Sequence, residues 1–337
     1  MKKIFVIILC IFSILHGYCQ TSEAFFNQGV VKNNLQDFQG AIAEFSKAIE
    51  LNPAYLKAYY NRGCIKFRLK DYHGAIADYD TTIKINNTFI EAYFNRANIY
   101  FILQDYKKAI ADYSKSIEIS PKFAVAYNNR GYAKHKILDT LGAIADFTKA
   151  IDIKPAYAEA YYNRGLTKID LKNDQDAITD FNKAIDFNPT YTEAYLARGF
   201  AKIDLNDYEE ALADFNKVIE IHPYIAKAYY GRGLIKSALK DYPAAIADLS
   251  KAIKINPSYV EAYYSRGKVK LLLKDYPNSI IDFNKVIEIN PTYAEAYYGR
   301  GLAKIALQQK DNGCLDLKKA AEFGYKEAYE AMKTNCN

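Results

Sequence analysis

Arginine recurs on a strict beat. Arg62, Arg96, Arg130, Arg164, Arg198, Arg232, Arg266 and Arg300 are each 34 residues apart, with no insertion or deletion between them. Pro53, Pro121, Pro155, Pro189, Pro223, Pro257 and Pro291 keep the same interval, and Asn87 takes that slot once. A fixed period of this size marks stacked repeats, none of which buries its own apolar face alone. The expectation is one elongated domain whose core runs along the stack rather than two or three separate cores.

Each unit reads as a helical hairpin. In the copy from Pro155 to Asn188, Ala158, Tyr161, Gly165 and Ile169 recur at helical steps, as do Ala177, Ile178, Phe181, Ala184 and Ile185. Between the two helices stands Asn173, or in other copies Asp71, Asp105, Asp139, Asp207, Asp241 or Asp275. A side-chain oxygen there caps the free amides that open the second helix. The closing proline cannot continue a helix and marks the turn into the next copy.

The first residues differ in kind. Lys2 and Lys3 precede an apolar run from Ile4 to Leu15, then His16, Gly17, Tyr18 and Cys19. This is the layout of a secretory signal peptide, expected over residues 1–19 and leaving Gln20 first. The run is shorter than the ~20 apolar residues a membrane-spanning helix needs. The expected location is periplasmic or secreted, with no integral span after cleavage. Anchoring through the N-terminal segment is the alternative. Without Lys2 and Lys3 the net charge falls from +6 to +4, too mild to imply nucleic acid as a partner. Of the remaining thiols, Cys314 and Cys336 are the candidate disulfide in an oxidising compartment, and Cys64 stays free.

The unit resembles the tetratricopeptide repeat. That family's pattern of aromatic, glycine, alanine, aromatic, alanine and proline is matched by Tyr161, Gly165, Ala177, Phe181, Ala184 and Pro189. Two departures recur: the first aromatic is Tyr or Phe rather than Trp, and the residue before the glycine is Arg rather than Leu. The resemblance implies an all-α, right-handed α-solenoid (superhelix) of helix-turn-helix repeats. Nine repeats are expected over residues 20–324, with a C-terminal capping helix and tail over 325–337, where the proline is lost.

The arginine interrupts an apolar run, so its role needs a reason. Sixteen residues on comes an acid, Asp78, Asp112, Asp146, Asp180, Asp214, Asp248, Asp282 or Asp316. The first copy carries Gln28 and Glu44 in these two slots. Four residues after the arginine there is usually a lysine, with Tyr100 the exception. A shared carboxylate between the two cations relieves their repulsion. The expectation is a ladder of Arg and Asp rungs, either within one copy or between neighbours. Acids that recur as faithfully as the bases argue against a phosphate-binding stripe.

By the same resemblance, the first helices line a concave surface and the slots before each arginine face it. These, with Asn98 nearby, give a candidate protein- or peptide-binding set: Tyr60, Asn61, Phe94, Asn95, Asn98, Asn129, Tyr162, Asn163, Tyr230, Tyr264 and Tyr298. Amides hydrogen-bond an extended backbone, and tyrosines supply broad contact surface. Enzyme chemistry finds no support: His73, His135 and His222 fall in unrelated slots, and no phosphate loop, metal motif or nucleophile elbow is present. No cofactor or metal is expected. The reading is an exported, non-enzymatic scaffold for a protein or peptide of unknown identity, with an envelope carbohydrate or cell-wall binding module as the alternative.

Overall fold

The computed structural model describes residues 21–336. The expected signal segment therefore lies outside the described residues. Nineteen helices and no strand are found among the described residues. They fall into two compact units, Met1–Ala160 and Tyr161–Asn337.

In the first unit the hairpins are α1 (Ser22–Asn34) with α2 (Phe38–Leu51), α3 (Leu56–Arg68) with α4 (Tyr72–Ile85), α5 (Ile90–Ile102) with α6 (Tyr106–Ile119), and α7 (Ala124–Lys136) with α8 (Thr140–Ile153). The division falls within α9 (Ala158–Asp170), whose hairpin partner is α10 (Asp174–Phe187). The second unit continues with α11 (Thr192–Asp204) and α12 (Tyr208–Ile221), α13 (Ala226–Ala238) and α14 (Tyr242–Ile255), α15 (Val260–Leu272) and α16 (Tyr276–Ile289), and α17 (Ala294–Ala306) and α18 (Lys310–Glu322). The last helix, α19 (Glu327–Asn335), stands alone after the ninth hairpin.

The turns follow from local chemistry. Inside each hairpin the residue before the capping acid is left-handed, as at Lys70 (φ 63°) and Lys240 (φ 63°), although none of these nine residues is glycine. A side chain there costs about 1–2 kcal/mol. The next residue then caps the second helix: Asp71 Oδ1 accepts from Gly74 N at 3.0 Å, and Asp241 Oδ1 from Ala244 N at 3.2 Å. Asp207 and Asp275 do not cap as expected, since neither accepts a hydrogen bond from the helix backbone. The Asp275 carboxylate takes the Asn278 side-chain amide instead, at 2.9 Å. Between hairpins, Asn52, Asn188 and Asn290 each fold back on the backbone N–H two residues on, an Asx turn that starts the next copy.

One buried ring or leucine per copy forms the core. Phe45, Tyr79, Tyr113 and Phe147 fill this slot in the first unit, and Phe181, Phe215, Leu249, Phe283 and Leu317 in the second. Burying each contributes about 1.5–3 kcal/mol. Small neighbours let the helices approach: Ala75, Ala92, Ala211 and Ala228 are fully buried. At the end of the second unit, Ala328 of α19 packs on Ala320 and Ala321 of α18, with Tyr297, Tyr298, Tyr325 and Met332 around them. A disulfide joins Cys314 to Cys336, S–S 1.98 Å, and ties the end of α19 to α18.

Candidate functional site

The repeated arginine is the frame on which any site is mounted. Each guanidinium grips the aspartate of its own copy with two hydrogen bonds, Nη2 to Oδ1 at 2.5–2.7 Å and Nε to Oδ2 at 2.7–3.0 Å. The lysine four residues on reaches the same carboxylate at 2.7–3.2 Å, so one acid separates two cations. Beneath it lies a tyrosine three residues earlier, with Arg62 Cζ 5.6 Å from the Tyr59 ring and Arg300 Cζ 5.2 Å from Tyr297.

Each rung thus joins an arginine to the acid of its own copy, and the remaining guanidinium nitrogen ties the rung to the copy before. Arg62 Nη1 donates to Ser46 Oγ at 2.8 Å, Arg130 Nη1 to Ser114 Oγ at 3.0 Å, and Arg232 Nη1 to Asn216 Oδ1 at 2.7 Å, all on the preceding copy. The aspartates are buried and the arginines nearly so, a geometry that gives little net stability but holds register strongly. Copy three departs from the scheme. Tyr100 replaces the lysine, and Arg96 binds Asp80 as well as Asp112. Burial pushes the Asp112 carboxyl up, and Asp80 adds to the rise against the pull of Arg96. Burial also pushes on Asp248, but hydrogen bonds from Arg232 and Lys236 hold it below the usual range.

The slot before each arginine meets the core ring of the preceding copy, and the two units use it differently. In the second unit it holds Asn163, Ala197 or Ser265 and, at Gly231 and Gly299, glycine. A Cβ at Gly231 would lie 2.3 Å from Phe215 Cζ, and one at Gly299 would lie 2.5 Å from Phe283 Cζ. In the first unit it holds asparagine, and the core rings there include tyrosines. Asn95 Nδ2 donates to Tyr60 Oη at 3.2 Å, and Tyr79 Oη to Cys64 Sγ at 3.5 Å. Burial pushes the Cys64 thiol up, so it is a packing group rather than a nucleophile. One copy on, Tyr113 Oη and Asn129 Nδ2 both donate to Asn98 Oδ1, at 2.6 and 3.3 Å. Asn128 Nδ2 continues the chain to Asn129 Oδ1 at 3.3 Å and Glu159 Oε1 at 3.4 Å.

A hollow of about 220 Å³ opens here between α5 and α7, lined by Asn98, Phe101, Ile102, Tyr113, Asn129 and Tyr132. Its walls are rings and an exposed aliphatic side chain, with Phe101 and Tyr132 stacked at 5.3 Å and Tyr132 in turn over His135. Its polar groups are the two amides and the hydroxyls of Tyr113 and Tyr132. The Tyr113 and Asn129 donors converge on Asn98 Oδ1, which orients that amide and leaves its NH2 as the group it offers.

Of the residues expected to face a ligand, the structure brings Asn98 and Asn129 together in this hollow. The rings are half-buried, each against the aromatic that opens the next copy: Tyr60 on Phe89, Phe94 on Phe123, Tyr162 on Tyr191, Tyr230 on Tyr259, Tyr264 on Tyr293 and Tyr298 on Tyr325, at 4.9–5.2 Å. Asn61 Nδ2 donates to Lys57 O of its own helix at 2.8 Å, Asn95 is taken up with Tyr60, and Asn163 is buried. Phe101, Ile102, Tyr113 and Tyr132 were not among the expected residues. The signal for them was Tyr113 in a slot where most other copies hold Phe, with Asn98 in a slot where most hold a ring or leucine. No group of three or more potential metal ligands occurs among the described residues.

Sequence models of the tetratricopeptide repeat match residues 26–88, 90–123, 158–191, 192–224 and 260–293, and a model described as TPR repeat matches 237–274. The chain belongs to the tetratricopeptide repeat family. A tetratricopeptide repeat protein from Parabacteroides merdae is 22% identical, with TM-score 0.59 over 74% of this chain and 99% of that one. PilF of Pseudomonas aeruginosa is 14% identical, with TM-score 0.57 over 63% and 96%. The Cut9–Hcn1 assembly of the APC/C gives 13% and 0.57 over 95% and 85%. At these identities the likeness shows the fold alone. A comparison with curated protein sequences returns no significant match. The TPR chain is thus an all-α solenoid of repeats, a scaffold class that serves protein–protein interaction and is typically not enzymatic. No described helix is long and apolar enough to cross a membrane.

Proposed function

We propose that this TPR protein is an exported scaffold that binds an extended segment of a partner protein along its first-helix face, anchored in the hollow between α5 and α7. The hollow carries the reading. It combines apolar ring walls with two amides whose orientation is fixed in advance, the composition that suits one apolar side chain and the peptide groups beside it. Tyr60, Asn61, Phe94, Asn95, Tyr162, Asn163, Tyr230, Tyr264 and Tyr298 are the further contacts proposed along that face. Their rings, packed on the next copy, offer edges rather than open platforms. That half-burial also disfavours sugar stacking, so the carbohydrate reading is not pursued. Export is supported by the charged and apolar layout of residues 1–19 and by the Cys314–Cys336 bond, which suits an oxidising compartment.

Photo-crosslinking in the native cell tests the proposal. A crosslinker in place of Ile102, 47% exposed at the rim, is expected to trap a defined protein, whereas one in place of Leu141 on α8 is not. Asn98→Phe, which fills the hollow, is expected to reduce the adduct roughly tenfold or more. An Ile102 adduct unchanged by Asn98→Phe, or the absence of any protein adduct, sinks the assignment.

A further inference from the structure

The first hairpin begins with a face that every later copy buries. In interior copies the residue three after the arginine packs on the preceding second helix: Ile65 joins Ala41, Phe45 and Ala48, Ile99 joins Ala75 and Tyr79, and Ile235 joins Ala211 and Phe215. The matching residue of α1 is Val31, 56% exposed where Ile65 is 3%. Leu35, one turn on, is 75% exposed, more than its equivalents in later copies, which stay open at 36% (Leu307) to 57% (Leu239). Ala24, Gln28, Val31 and Leu35 follow one another at four, three and four residues, the spacing of a helix-pairing seam. Beside them lies an open hollow of about 380 Å³ lined by Asn27, Gln28, Val31 and Lys32.

Charge on this face has been removed. The arginine that would reach for a preceding copy is the neutral Gln28, and Lys32 is neutralised by Glu44 at 2.7 Å. Two such faces therefore meet without like-charge repulsion. The opposite end of the chain cannot supply the missing helix, because α19 lies over α18 and the Cys314–Cys336 bond holds it there. Head-to-tail stacking of α1 on that end is closed, so self-association through this face pairs α1 with α1.

We infer that the chain forms a two-fold homodimer in which α1 of one copy packs on α1 of a second along the Ala24, Gln28, Val31 and Leu35 seam. A two-fold axis crossing the middle of the seam brings the two Gln28 amides together, a polar pair within an apolar contact that fixes register.

The test is sedimentation velocity over a concentration series, on protein purified from its producing cells with its N-terminus read by mass spectrometry. A monomer–dimer equilibrium is expected. Val31→Glu and Gln28→Arg are each expected to weaken it at least roughly tenfold. Leu141→Glu, on α8, leaves it unchanged. Val31 and Gln28 are exposed, so both variants are expected to keep the parent melting temperature, which separates lost association from lost folding. A monomer at every concentration overturns the inference, whether the N-terminal segment proves cut or retained. So does a dimer that survives Val31→Glu, or one that appears only after reduction of Cys314–Cys336, which places the contact at the other end.

Discussion

Two slots in the second unit and two in the first solve the same packing problem with opposite chemistry. Where the slot before the arginine meets the preceding core ring, two copies of the second unit have no side chain, and Gly231 and Gly299 let Phe215 and Phe283 press on bare backbone. The first unit keeps a side chain and makes it an amide, and Asn95 and Asn129 hydrogen-bond into a network with Tyr60, Asn98 and Tyr113. Dry contacts of the first kind leave nothing for a ligand. Polar contacts of the second kind leave hydrogen-bonding capacity at the rim, and the hollow between α5 and α7 lies where two of them meet. One period thus builds both an inert joint and a binding one, and the choice rests on single residues within each copy.

The largest expected effect asks whether the rungs, common to both units, outweigh this difference. Asp146→Leu in the first unit and Asp282→Leu in the second each remove the buried partner of a half-buried arginine and lysine, with an expected loss of about 3 kcal/mol by urea unfolding. Adding Arg130→Met or Arg266→Met to its partner variant is expected to recover much of the loss. Additive losses in either cycle remove the rung as a coupled pair.

A smaller effect separates the units directly. Gly299→Ala forces a methyl against Phe283, at an expected cost of about 1–3 kcal/mol. Asn95→Ala, in the same slot of the first unit, gives up a hydrogen bond to Tyr60 and is expected to cost about 1 kcal/mol. Thermal unfolding of the two variants ranks them, and a neutral Gly299→Ala erases the contrast.

The smallest effect concerns charge. Asp112 lacks the lysine that Asp248 has in Lys236, and its carboxyl is raised where that of Asp248 is lowered. A raised acid favours the fold most when protonated. Its contribution is complete below the ordinary value of 3.8 and is lost as pH rises through the folded value. A lowered acid works in reverse: its contribution is present above 3.8 and is lost as pH falls through the depressed folded value. Carboxyl carbon NMR titration is expected to place the Asp112 midpoint above 3.8 and that of Asp248 below it. Midpoints in the opposite order contradict the assignment.

Much of the fold was legible because the repeat prints each slot many times. The hairpins and a ladder of arginine and aspartate rungs follow from period and sign alone, but not whether Arg62 takes Asp78 of its own copy or the acid of a neighbour. The backward reach of the arginine was written just as plainly. Ser46, Asp80, Ser114, Asn182, Asn216, Ser250 and Asn284 all stand sixteen residues before an arginine, and all are small and polar. Reading forward only, from base to acid, passed over them. The hollow was harder to see. Asn98 and Asn129 were visible as amides, but whether an amide fills its slot or opens a space depends on the rings beside it. Phe101 and Tyr132 come from different copies and meet only by packing. The same limit explains Tyr60, which reads as a free ring until Phe89 is found against it.

Because guanidiniums such as those of Arg62 and Arg266 hold one partner sixteen residues ahead and another sixteen behind, their connections are indifferent to which copy supplies them. Losing a whole number of 34-residue units rejoins every arginine to an equivalent aspartate and an equivalent polar neighbour, whereas losing any other number breaks both bonds at once. Chain length is in that sense a free variable for heredity, quantised by the rung. The hollow and the outward face of α1 occur once each and have no spare. They are the parts of the molecule that duplication cannot replace.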